Sequence, residues 1–152
     1  MSESHSVYIG APVEQVFNWF KDPRNWLTLN PTSREEITQS HVTPEGVGTF
    51  HVWKMRPAPG VQFEIFGVFT EFVANKRIVD KWSMALEGTE TYTFDAEGSG
   101  TRVTLSRRRQ SVWRLGALDK LVDRAERRED HRALERLKAL MESSGQRATA
   151  AG

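Results

Sequence analysis

Residues 61–110 read VQFEIFGVFTEFVANKRIVDKWSMALEGTETYTFDAEGSGTRVTLSRRRQ, and this stretch decides the fold. Val, Ile, Phe, Thr, Trp and Tyr dominate its runs, which are separated by Ala74-Asn75-Lys76, Glu87-Gly88 and Glu97-Gly98-Ser99-Gly100. β-Branched and aromatic residues suit a pleated, half-buried surface, and the punctuation suits reversals of the chain. The pattern predicts strands over 61–73, 77–86, 88–95 and 101–110, with Glu87-Gly88 serving either as a turn or as a bulge in one long strand. Connections this short join antiparallel neighbours, so a meander is the economical topology.

Working upstream, two further β-type runs at 35–42 and 48–55 flank Pro44-Glu45-Gly46, and Pro57-Ala58-Pro59-Gly60 leads into the decisive stretch. Ser6 to Ile9 forms a first short run, ended by Gly10. Val13, Val16, Phe17 and Phe20 then fall at i, i+3, i+4 and i+7, with Pro12 placed for a first helical turn and Asp22-Pro23 as the stop. A second short helical piece carries Trp26, Leu27 and Leu29 before Pro31. Downstream of Ser111, apolar residues from Leu118 to Met141 recur mostly at spacings of three and four, which predicts one long helix over 112–141. Residues 143–152 are small and polar and are expected to form a disordered tail, leaving residues 1–142 as one domain. The fold class is α+β.

Composition removes several classes of function. The 152 residues carry 21 Lys+Arg against 20 Asp+Glu, a net charge of +1 that offers no bulk field for nucleic acid. Without cysteine there is no disulfide framework, thiolate nucleophile or zinc–thiolate site. No apolar run is long enough to insert into a membrane, and the start MSESHSVYIGAP lacks the features of a signal peptide, so a cytoplasmic location is expected. His5, His41, His51 and His131 are scattered without metal-binding spacing, and nucleotide and serine-hydrolase motifs are missing, so no cofactor is expected. His51 alone lies on a strand from which it could face inward as an acid–base group. Glu129-Asp130-His131 reads as a solvated helix face, because consecutive residues diverge by about 100° around a helix.

A broad antiparallel sheet must cover its apolar face, and one helix about 10–12 Å wide does not fill the concavity of a twisted sheet. A long helix gripped by a curved sheet therefore leaves a pocket. Three segments carry a resemblance to a known family: residues 7–17 with Asp22-Pro23 and Trp26; residues 69–79, FTEFVANKRIV; and Gly98-Ser99-Gly100-Thr101-Arg102-Val103-Thr104. In this order they resemble the START-like superfamily, also called helix-grip or SRPBCC, which includes polyketide cyclase/dehydrase-like proteins. The second segment departs from the family pattern, with Ala74 or Asn75 at its usual proline. The resemblance implies a helix-grip fold, a curved sheet of six to seven strands around the C-terminal helix, with two short helices after the first strand.

Alternation along each strand sorts the side chains into faces. Val61, Phe63, Ile65, Gly67 and Phe69 form a wholly apolar set assigned to the inner face. Ile78, Asp80, Trp82 and Met84, then Glu90, Tyr92 and Phe94, then Val103, Leu105, Arg107 and Arg109 continue it, while His51/Trp53/Met55 and Phe50/Val52 remain open as alternatives. The expected ligand-lining residues are Trp53, Phe63, Ile65, Phe69, Asp80, Trp82, Glu90, Tyr92, Leu105 and Arg107 on the sheet, with Leu118 and Val122 on the helix. Buried charges must be paired, and either Asp80 or Glu90 is placed to pair with Arg107. Of Arg107-Arg108-Arg109 at the strand end, only one needs to point inward.

Three functions fit these residues. The first is a binding module for a small hydrophobic or aromatic molecule, lipid- or polyketide-like, held between sheet and helix. The second is a cyclase/dehydratase-type enzyme in which Arg107 and Tyr92 stabilise an enolate and Asp80 or Glu90 moves protons. The third is a co-chaperone-like interaction module. A homodimer through the helix or a sheet edge is compatible with all three.

Overall fold

The computed structural model of the chain describes residues 3–29, 36–84, 87–110 and 117–150, with the backbone alone for 3, 57, 58, 117–119, 121, 122 and 145–150. Strand β1 (Glu3–Ile9) is followed by helix α1 (Val13–Phe20) and a 3-10 helix (Pro23–Thr28). Then come β2 (Glu36–His41), β3 (Phe50–Ala58), β4 (Val61–Val73), β5 (Arg77–Ser83), β6 (Glu87–Glu97) and β7 (Gly100–Gln110). The long helix α2 spans Ala117–Ala150. All strands join one antiparallel sheet in the order β1-β7-β6-β5-β4-β3-β2. The meander is thus realised from β2 to β7, and β1 closes the sheet against β7.

Some boundaries differ from expectation for physical reasons. Glu87-Gly88 lies within β6, and the reversal falls between Ser83 and Glu87. Strand β3 extends through Pro57 to Ala58, at a register irregularity with β4 where a missing backbone donor is tolerated. Helix α2 continues to Ala150, into the segment expected to be a disordered tail. Gln146, Arg147, Ala148 and Ala150 favour helix, and the single Gly145 costs only about 1 kcal/mol relative to Ala.

The core lies between the inner face of the sheet and the helices. From α1, Val16, Phe17 and Phe20 point down; from α2, Ala133, Leu134, Leu137 and Met141 do so, and all are buried. Each large apolar side chain so covered contributes roughly 1.5–3 kcal/mol. Trp26 of the 3-10 helix is inserted between them. Its Nε1 donates to the Phe20 carbonyl at 2.7 Å, and its ring stacks on Phe69 at 5.6 Å. Between Phe69 and Glu71 the β4–β5 register shifts, which brings both Phe69 and Phe72 to the inner face. The C-terminal part of α2 is tied to β1 and the 3-10 helix by polar contacts. Lys138 Nζ donates to the Tyr8 carbonyl at 2.8 Å, and Arg136 donates to the Leu29 carbonyl at 2.7 Å.

Candidate functional site

Residues Phe69, Asp80, Glu90 and Arg107 are direct partners across β4, β5, β6 and β7, so one row of the inner face carries three ionisable groups. Of the two expected pairings, Glu90 is the one made. Arg107 contacts Glu90 Oε1 at 2.9 Å and Asp130 Oδ1 of α2 at 3.0 Å. The Tyr92 hydroxyl donates to Glu90 Oε2 at 2.5 Å. Glu90 is only 2% exposed and Asp130 5%, so this is a buried charge cluster that clasps α2 to the sheet. Asp130 therefore does not belong to a solvated helix face. It precedes Leu134, Leu137 and Met141 at helical spacing and sits on the same buried stripe.

Burial and charge act in opposite directions here. Desolvation works against the Arg107 cation, but Glu90 and Asp130 outweigh it and raise its pKa above the ordinary arginine value. Burial pushes the Asp130 carboxyl up to about 6; Arg107 pulls it down, while Glu90 and Glu126 reinforce the rise. Glu126 is raised as well, chiefly by burial.

Asp80 has another partner. His51 Nε2 lies 3.1 Å from Asp80 Oδ1, and Trp53 Nε1 donates to His51 Nδ1. An indole nitrogen can only donate, so Nδ1 accepts and the imidazole proton sits on Nε2, facing the carboxylate. The ambiguity of β3 is thereby resolved, with His51 and Trp53 on the inner face. Gly67 makes the contact reachable: His51 leans across it, and a Cβ at that position would overlap the imidazole. Gly88 takes the Trp82 ring in the same way. Arg109 also faces inward, on the same parity as Arg107, although only one of the three arginines needed to, and meets Asp123 Oδ1 at 2.8 Å and Glu126 Oε1 at 3.3 Å.

The expected ligand-lining residues fall into two groups. Trp53, Phe69, Asp80, Glu90, Tyr92 and Leu105 are fully buried beneath protein side chains. The space left between Phe20, Trp26, Tyr92, Arg107, Asp130 and Leu134 is about 20 Å³, enough for a single water. Toward the other end of the sheet the inner face opens. Phe63 is 45% exposed there, beside half-buried Met55, Ile65 and Trp82 and exposed Val61 and Met84. The side chains of Leu118 and Val122 lie outside the described residues. A separate groove of about 520 Å³ is lined by Phe17 and Phe72 together with Asn18, Lys21 and Asn75. Among the described residues, no group of ligating side chains could hold a metal ion, and no helix is long and apolar enough to cross a membrane.

Solved structures share this architecture. TTHA0849 from Thermus thermophilus superimposes with a TM-score of 0.71 at 24% identity, over 95% of this chain and 99% of that one. NE0264 from Nitrosomonas europaea does so with 0.71 at 18% identity, over 96% and 97%. CV1439 from Chromobacterium violaceum gives 0.70 at 18%, over 93% and 98%. At these identities the likeness establishes the fold alone. No curated protein matches the chain in sequence. The family described as polyketide cyclase / dehydrase and lipid transport matches residues 2–142, from β1 to the end of the buried stripe of α2. With the seven-stranded grip and its long helix in place, the chain belongs to that polyketide cyclase/dehydrase and lipid transport family.

Proposed function

We propose that this protein is a binding module for a small hydrophobic or aromatic molecule, seated on the open end of the inner face against Phe63, Ile65 and Trp82. The observation that carries this reading is the accessibility of that apolar row on a face that is elsewhere closed by α1, Trp26 and α2. An apolar concavity edged by a few polar groups is the usual form of a small-molecule site. Turnover by the cyclase route is less favoured. Arg107 and Tyr92, the groups expected to stabilise an enolate, are already engaged by Glu90 and Asp130. A donor committed to a buried carboxylate must abandon it before it can serve a developing oxyanion.

Native mass spectrometry of freshly purified protein, followed by denaturing extraction, tests the reading. The expected result is a stoichiometric apolar adduct that is lost in Phe63→Ala and in Ile65→Trp, both of which keep the wild-type melting temperature. A clean apo mass together with no uptake of a neutral naphthalene probe would overturn it. So would an adduct that survives both substitutions and is displaced by Ala74→Trp in the groove lined by Phe17 and Phe72.

A further inference from the structure

The permanent cations on the inner face, among the described residues, are Arg107 and Arg109. Each is neutralised from within the protein: Arg107 by Glu90 and Asp130, Arg109 by Asp123 and Glu126. Four carboxylates thus face two guanidinium groups. The His51–Asp80 pair adds a further carboxylate and no cation, since the Trp53 N–H occupies the imidazole Nδ1. This excess lies beside the open apolar row. Arg109 is the register partner of Gly88, and Gly88 is the partner of Trp82, whose ring lies over it. Trp82 Nε1 is buried there against Gly88, without a hydrogen-bond partner among the described residues, so the half-buried ring presents an apolar surface and no cation to a ligand.

From this arrangement we infer that the site discriminates against anionic ligands and takes an uncharged or cationic apolar molecule. Deeper in the fold, burial is what chiefly raises the pKa of Asp130, and the neighbouring carboxylates Glu90 and Glu126 add to the rise. A carboxylate entering beside Trp82 would meet Asp123 and Glu126, with the two inner-face arginines of the described residues already paired, in a site where water screens poorly. A fatty-acid or acyl-carboxylate cargo is disfavoured on this ground. A neutral ketone, alcohol, ester or amine on a ring system is favoured.

The inference rests on the binding reading above, and its test separates the two. Isothermal titration compares naphthalenemethanol, naphthalenemethylamine and naphthoate, which share one apolar body. The alcohol and the amine should bind, and naphthoate should bind about tenfold more weakly or worse. In Asp123→Asn combined with Glu126→Gln, Arg109 is released, and the ratio of naphthoate to alcohol affinity should rise at least fivefold. Both side chains are partly exposed, so the variant should keep its fold, as a melting curve would show. Equal binding of alcohol and naphthoate by the wild type overturns the inference and leaves the binding reading standing. An unchanged ratio in the variant also overturns it. If none of the three probes binds, the binding reading falls and the inference falls with it.

Discussion

Replacing Asp130 by Asn tests whether burial or ion pairing governs the clasp between α2 and the sheet. Asn has the shape of the protonated carboxyl and keeps an oxygen for Arg107, but it carries no charge at any pH. In the wild type the Asp130 pKa stands at about 6 against an ordinary 3.8, mainly because the group is buried. A raised folded pKa means that the native state holds the proton more tightly than the unfolded chain does. The resulting stabilisation is fully present below about 3.8 and is lost as pH rises through about 6. A shift of this size corresponds to about 3 kcal/mol.

Urea titrations followed by tryptophan fluorescence can be run from about pH 4 to about pH 7.5, and the difference between wild type and Asp130→Asn removes groups common to both. The variant should gain on the wild type across this window by about 2–3 kcal/mol, and the gain should level off above the upper pKa. Glu126, also raised by burial, titrates in both proteins, and only its coupling to Asp130 enters the difference. A difference that is flat with pH would refute the argument. A variant that loses ground as pH rises would refute it more sharply, because Arg107 would then stabilise the ionised carboxylate by more than burial destabilises it.

Three further substitutions probe the same face. Gly67→Ala should push His51 off Asp80 and cost about 2–4 kcal/mol in urea unfolding, since a Cβ there overlaps the imidazole; a cost under about 0.5 kcal/mol would mean the ring moves freely. Trp53→Phe removes the donor to His51 Nδ1 and should cost about 1–3 kcal/mol, while nitrogen NMR of the wild-type imidazole should find the proton on Nε2; a proton on Nδ1 would contradict the assignment. Arg107→Met leaves Glu90 and Asp130 facing each other and should cost about 3–5 kcal/mol, much of it recovered when Asp130→Asn is added; full additivity of the two changes would show that the groups are not coupled.

The alternation of side chains was legible wherever one face was clearly apolar. Glu90, Tyr92 and Phe94 on β6, and Val103 and Leu105 on β7, lie inward as parity requires. On β3 the two parities looked alike, because Phe50 and Val52 stand on the outer face as apolar neighbours; Val52 is buried there although it faces away from the core. Parity therefore could not single out His51. Asp130 was hidden differently. It sits in a run of charges from Glu126 to Arg132, and only its helical spacing from Leu134, Leu137 and Met141 places it on the buried stripe. The size of the pocket was not legible at all. It depends on Trp26, whose ring comes from outside the sheet and packs onto Phe69 of the inner face, and no strand pattern records how a distant tryptophan packs.

The division of the inner face into a closed charged end and an open apolar end follows from what each can tolerate. Buried charges are stable only when their partners are held in place, which the pairing of Asp80 with His51 and of Glu90 with Arg107 provides. Trp26, Phe20 and Leu134 cover the Glu90–Arg107–Asp130 end and keep water away, leaving space for about one molecule of it. The other end has no such demand. Phe63, Ile65 and Met55 need no hydrogen-bond partners, so they can stay uncovered at modest cost, and Gly88 lets Trp82 lie flat rather than project into the opening. Rigidity at the charged end then benefits the apolar one. Arg107 and Arg109 both reach across to α2, so the helix is fixed beside the opening by one buried ion pair and by partly exposed ones, and does not depend on a ligand to hold it in place.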